Sequence, residues 1–202
     1  MRERVLETAL RLCRTFGIKS ITMQDIAREC GISKKTVYEH FADKTELVNE
    51  VVAFMTNTYC RQLAECATAG ANAIEELALS IKHTEHLARS TNPVLLFELE
   101  KYHPTAWKTI QDFREQQVTG IIRTNLERGI REGLYRATLH IGILVHMRLL
   151  QLNALFNPLL YPAAEFDLHE VVEQMTAHYI HGIATPAGQR LVEQYLPEKT
   201  TA

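Results

Sequence analysis

Residues 22–44 read TMQDIARECGISKKTVYEHFADK, and the spacing inside them decides the fold. Ala27 is followed four residues later by Gly31, and Val37 comes six residues after that. A small side chain at Ala27 lets one helix lie close against the next. Gly31 supplies the positive φ that a tight interhelical turn needs, at little steric cost. Val37 returns to a shared core with Ile26, Ile32 and Phe41. Both helices carry start signals. Thr22 with Asp25 is a capping-box-like pair, Asp replacing the commoner Glu or Gln, and Ser33 is a good N-cap. With Ile32 and Val37 turned inward, the second helix shows Lys34, Lys35, Thr36, Tyr38 and His40 to its surroundings, donors suited to phosphates and base edges. The pattern implies a helix-turn-helix that reads duplex DNA. An ordinary helical hairpin with a solvated outer face is the plainer alternative.

Outward from this stretch the pattern stays helical. Val5, Ala9, Leu12, Cys13 and Phe16 recur at spacings of three and four, predicting a helix over 3–16 that Gly17 ends. Asp43 and Glu46 form a second capping pair and open a long helix to about Thr68. Its apolar face is Leu47, Val48, Val51, Val52, Met55, Tyr59 and Leu63. Further helices are expected over 73–89, 94–101, 104–131, 139–156 and 166–183, with a short one after Pro186. Pro104 suits a first helical turn. No alternating run is long enough for a sheet. The expected fold is all-α. It comprises a three-helix DNA-binding domain at 1–46 and a larger helical domain at 47–202 for ligand binding and dimerisation.

Composition agrees. In 202 residues, 46% hydrophobic and 23% charged content suits a globular chain able to bury a sizeable core. Nine glycines and six prolines are too few for a turn-rich β fold. MRERVLETALRLCRTFG has no apolar signal core, and IGILVHMRLLQLNALFNPLL carries His146, Arg148, Gln151 and Asn153, which suits a buried helix better than a membrane span. A cytoplasmic protein without a membrane partner is expected. Residues 1–44 hold nine Lys/Arg against six Asp/Glu, whereas the remainder holds thirteen against eighteen. A mildly basic head on an acidic body fits a polyanion bound at one end. Cys13, Cys30, Cys60 and Cys66 lack CxxC spacing and read as reduced core residues.

Two late helices bear on assembly. The 139–156 segment is apolar nearly all round and the 166–183 segment carries a wide apolar stripe, so each needs a partner beyond its own core. Paired across a two-fold axis they would make a four-helix bundle, with Leu144, Leu155, Val172, Met175 and Tyr179 as interface candidates. A monomer in which both are central core helices is the alternative. A homodimer also suits a single helix-turn-helix, because a second copy doubles the contacts on a pseudo-palindromic operator.

The chain resembles the TetR family of bacterial transcriptional regulators. The resemblance rests on RTFGIKSITMQDIARECGISKKTVYEHFADKTELV and extends more weakly to LEKYHPTAWKTIQDFR and RGIREGLYR. It implies three N-terminal helices for DNA, a connecting fourth helix and a C-terminal ligand-binding and dimerising domain. It implies repression of nearby genes, relieved by a small molecule of a kind the resemblance does not specify. The family's usual phosphate contacts fall on Thr22, Tyr38, His40 and Lys44, and base reading on Lys34, Lys35 and Thr36 after the Ser33 cap. Lys35 departs from the small residue many members carry there, and phosphate contact is the safer assignment for it.

A ligand domain needs an apolar cavity with a few polar anchors. Phe97, Tyr102, Trp107, Phe113 and Met147, with His86 and His146 as anchors, are the candidates, although each alone also reads as plain core. His83 and His86, and His178 and His181, share helix faces, but no carboxylate or thiolate is placed to complete a metal site. No metal or other cofactor is expected. GxSxG, HExxH and P-loop motifs are absent, which disfavours an enzyme. An all-helical enzyme with scattered active-site residues and a DNA-binding organiser without an inducer are the remaining alternatives.

Overall fold

The computed structural model describes residues 1–155, 157, 159–162 and 164–196. Its helices are α1 (Arg2–Phe16), α2 (Met23–Cys30), α3 (Lys34–His40), α4 (Lys44–Ala69), α5 (Ala73–Ser90), α6 (Pro93–Tyr102), α7 (Pro104–Asp112), α8 (Thr119–Arg131), α9 (Ile141–Ala154), α10 (Leu168–Ile183) and α11 (Pro186–Tyr195). Among the described residues there is no strand, only an isolated antiparallel bridge between Tyr135 and Ala184.

One expectation fails at the centre of the chain. Residues 104–131 are not a single α-helix, because a π-helical turn, Phe113–Val118, separates α7 from α8. A π-turn holds an extra residue without breaking the rod, so apolar spacing alone passes through it unseen. The 139–156 helix is shorter than expected. It starts at Ile141 behind His140, whose Nδ1 accepts the Ile143 N–H at 3.2 Å. The expected end at Phe156 lies outside the described residues. Asp167 caps α10 through the His169 N–H at 2.7 Å, which moves the start from Phe166 to Leu168.

The chain forms two compact units. The first contains residues 1–59 and 90–113, and the second residues 60–89 and 114 onward. Patterning placed a boundary at 46, whereas packing carries the first unit further. Leu47, Val48, Val51 and Val52 of α4 are buried in one core with Val5, Ala9, Ile26, Ala27, Val37 and Phe41. Leu95 and Leu99 of α6 and Ala106 and Ile110 of α7 join the same core. α6 and α7 therefore pack as part of the head that holds the helix-turn-helix.

The second unit has one core around Ile74, Leu126, Tyr135, Val145, Ile180 and Ile183 and another around Ile81, Leu155, Val171 and Val172. It also buries polar groups. The Tyr135 hydroxyl bonds the Ala73 carbonyl and Asn125 Oδ1, each at 3.1 Å. Arg128 donates to Glu76, to Glu132 and to the Ala67 and Gly70 carbonyls, closing the C-terminal end of α4 as basic side chains often do.

Candidate nucleic-acid interface

The turn between α2 and α3 follows the sequence reading closely. Gly31 has φ 64° and ψ 34°, and its N–H reaches the Arg28 carbonyl at 3.1 Å. The Ile32 N–H returns to the Ala27 carbonyl at 3.0 Å, satisfying carbonyls that the end of α2 would otherwise leave orphaned. Ala27, Ile26 and Val37 are fully buried, so the closeness of the two helices is paid in side-chain size.

Each start signal is also realised. Thr22 Oγ1 accepts the Asp25 N–H at 3.2 Å, and Asp25 Oδ2 accepts the Thr22 N–H at 3.0 Å and its hydroxyl at 2.7 Å. The hydrogen bonds from Thr22 hold the Asp25 carboxyl below the usual carboxylate range. Arg28 at 2.8 Å offsets its charge. Ser33 Oγ accepts the Thr36 N–H at 3.0 Å. A helix leaves its first N–H groups without intrahelical acceptors, so the start of α2 at exposed Gln24 can meet a phosphate, with the dipole in the favourable sense.

On α3, Lys34, Lys35 and Tyr38 are exposed, and Thr36 and His40 are half-buried. The Lys34 ammonium lies 5.7 Å from the Tyr38 ring centroid, and the His40 ring meets Phe41 edge-on. One short helix thus presents two exposed cations and an exposed aromatic hydroxyl while Val37 is buried.

Lys44, expected as a point charge for phosphate, has its ammonium donating to the Ile18 carbonyl at 2.7 Å and to the Ile21 carbonyl. The start of α4 is likewise occupied by its own carboxylates, since Asp43 Oδ1 accepts the Glu46 N–H at 2.8 Å and Glu46 Oε2 accepts the Ala42 N–H at 2.6 Å. Two acidic groups there weaken this end as a phosphate site.

The expected ligand residues divide between the two units. Phe97, Tyr102, Trp107 and Phe113 belong to the first unit, and His86, His146 and Met147 to the second. Phe97, Tyr102, His86, His146 and Met147 are exposed. Trp107 packs against the head's core and Phe113 meets Tyr59 edge-on.

Among the interface candidates, Leu155, Val172 and Tyr179 are only 4%, 2% and 7% exposed, because they fill the second unit's own cores. Leu144 and Met175 are half-buried. The large apolar side chains that α9 exposes are Ile143 at 55%, Met147 at 49% and Leu150 at 68%. Of the cysteines, Cys13, Cys30 and Cys66 are core residues as expected, and Cys60 is partly exposed. Burial pushes the Cys13 thiol up to about 12, which makes it a poor nucleophile.

Sequence reasoning missed a grouping in the second unit. His169 lies between Glu85, 3.8 Å from its Nδ1, and Glu173, 3.4 Å from its Nε2. The His169–Glu173 spacing of four is visible in the sequence, but Glu85 comes from α5 and no local signal points to it. The histidine pairs weighed for metal are not part of it, and His181 Nδ1 bonds Gln189 Oε1 at 2.5 Å.

A tight αL turn between two capped helices, with a basic second helix facing outward, defines a helix-turn-helix DNA-binding transcriptional regulator. Residues 5–51 match the family model described as "Bacterial regulatory proteins, tetR family". It is 27% identical over 184 residues to the HTH-type transcriptional regulator YvaF of Bacillus subtilis, covering 91% of this chain and 95% of that one. It is 26% identical over 146 residues to the HTH-type transcriptional repressor KstR2 of Mycobacterium tuberculosis, covering 70% and 72%. In fold it matches a transcriptional regulator from Saccharomonospora viridis solved in complex with choline, with a TM-score of 0.71, 21% identity and coverage of 91% and 97%. The family and these relatives are regulators rather than enzymes.

Proposed function

We propose that this chain is a homodimeric repressor that holds a pseudo-palindromic operator and leaves it when a small molecule binds the second unit. The observation that carries the reading is the exposed, capped α3 inside a segment that matches the family model. Lys34, Lys35 and Thr36 read or brace the major groove beyond the Ser33 cap, Tyr38 and His40 hold phosphate oxygens, and the start of α2 at Thr22 receives another. KstR2 is named a repressor, which supports that direction of control, and the choline complex supports a small-molecule effector. The effector of this chain is its own question, because that likeness is one of fold.

Duplication is proposed through α9, whose Ile143, Met147 and Leu150 form an aliphatic stripe at spacings of four and three. Such a stripe on an otherwise well-packed unit fits a second copy related by a two-fold axis. The proposed location is the cytoplasm. Among the described residues no helix is long and apolar enough to cross a membrane.

The test is selection of duplexes from a random pool by the purified chain, with the mass of the complex measured by light scattering. An inverted repeat bound by two copies, and released by a small molecule recovered from the purified protein, is expected. No enrichment at moderate salt, or enrichment of a single half-site by one copy, would overturn it.

A further inference from the structure

The turn from α1 into α2 is gripped from two sides by side chains of later helices, all within the first unit. After α1 the chain passes through Gly17 at φ 79°, and the next two amides, Ile18 and Lys19, donate to the same oxygen, Glu98 Oε2, at 2.5 and 3.1 Å. Consecutive N–H groups aimed at one point form an anion-binding concavity. Its occupant here is the chain's own carboxylate, which comes from α6 and is only 7% exposed. Gly17 is needed twice, for its φ and because a Cβ there would stand 3.0 Å from Glu98 Oε2.

The carbonyls of the same turn face the opposite charge, since Lys44 of α4 donates to those of Ile18 and Ile21. Two further contacts tie α6 to this place. Asn92, its N-cap, gives its backbone N–H to the Arg14 carbonyl at 2.7 Å and its Nδ2 to the Thr15 carbonyl at 3.3 Å. The Lys19 ammonium lies 3.5 Å from the Tyr102 ring centroid. The residue that follows the gripped turn is Thr22, the cap of α2.

We propose that Glu98 and Lys44 are positioning residues for DNA binding. They fix the 17–21 turn in the conformation that aims the first N–H groups of α2 at a phosphate. A buried carboxylate holding two backbone amides makes a stiff connection, because losing the bonds leaves a desolvated charge behind. The proposal rests on the DNA-binding reading above.

Glu98→Gln tests it, because an amide oxygen of the same shape still fills the concavity while the charge is gone. Binding is measured to the duplex that the wild-type chain selects from a random pool, over a salt series, at a temperature where both proteins are folded. Removal of a negative charge from a DNA-binding unit strengthens binding by general electrostatics. Positioning requires the reverse, about tenfold weaker binding at a nearly unchanged salt slope, and upfield movement of the Ile18 and Lys19 amide proton signals. Glu98→Asp, which retracts the carboxylate but keeps its charge, is expected to weaken binding in the same way and serves if the first variant fails to fold. Wild-type affinity in a folded variant would overturn the proposal while leaving the DNA-binding reading intact. Failure of the wild-type chain to select any duplex would overturn both.

Discussion

The two units differ in how they treat apolar surface. Exposed apolar residues of the head are largely aromatic and lie beside lysines: Tyr38 near Lys34, Phe97 near Lys101, Tyr102 near Lys19 and Lys101. Rings of this kind are at ease half in water, with a cation above the π face. The large apolar side chains that α9 exposes are aliphatic or thioether, lie at spacings of four and three and have no polar handle. Buried polarity runs the other way. The second unit encloses Glu76, Asn125, Arg148 and Thr176, with Arg148 stacked 4.6 Å from the Tyr179 ring centroid. The head's surface suits a wet, charged partner, and the second unit's surface suits a dry one.

Several substitutions can break or sharpen that contrast. The largest effect is expected from Phe41→Ala, which empties a fully buried site in the head's core. It should cost about 3–5 kcal/mol in chemical denaturation, and a cost under about 1 kcal/mol would mean that the head's core does not hold Phe41 as described.

Next comes the pair Met147→Glu with Leu150→Glu. Chain stability should move by no more than about 0.5 kcal/mol, as for surface sites generally, while sedimentation shows dimerisation weakened by about 100-fold or more. A variant that remains dimeric would remove the α9 stripe from the interface.

Thr22→Ala removes a cap and should cost about 1 kcal/mol. The same cap gives the head a pH dependence of known sign. Thr22 holds the Asp25 carboxyl below its unfolded range, so the stabilisation is present at neutral pH. It should be lost as pH falls below about 4 through that lowered value, and stability at pH 3 and pH 7 measures it. An Asp25→Asn chain that shows the full wild-type difference between those two pH values would refute the assignment.

The smallest effect on stability belongs to Lys35→Ala, within about 0.5 kcal/mol. Its signature is electrostatic. If Lys35 meets a phosphate, the salt slope of operator binding falls by about one and sequence preference is kept, whereas relaxed preference at one base would make it a reader.

Legibility followed the range of the interactions. The α2–turn–α3 stretch was readable because its determinants lie within a few residues: a small residue at 27, αL glycine at 31, inward Val37 and caps at Thr22 and Ser33. The internal contacts of Lys44 were not legible because its partners, the Ile18 and Ile21 carbonyls, lie more than twenty residues away in the chain. Glu98 escaped notice for the same reason, lying 80 positions along the chain from Ile18. Apolar periodicity marked α9 and α10 as special but could not say which side each helix gives to its own core. Leu155, Val172 and Tyr179 therefore proved buried, while Ile143 and Leu150 proved exposed. The π-turn at 113–118 left no trace because an extra residue inside a helix alters no composition.

Unequal burial of the thiols makes the chain its own labelling reagent target. Maleimides and fluorophores need an accessible sulfur, and Cys13, Cys30 and Cys66 are enclosed whereas Cys60, partway along α4, is not. A single dye can therefore be attached to the native sequence without removing any cysteine. Placed on the helix that runs through both units, it would serve as an optical reporter in the titrations that DNA and effector require.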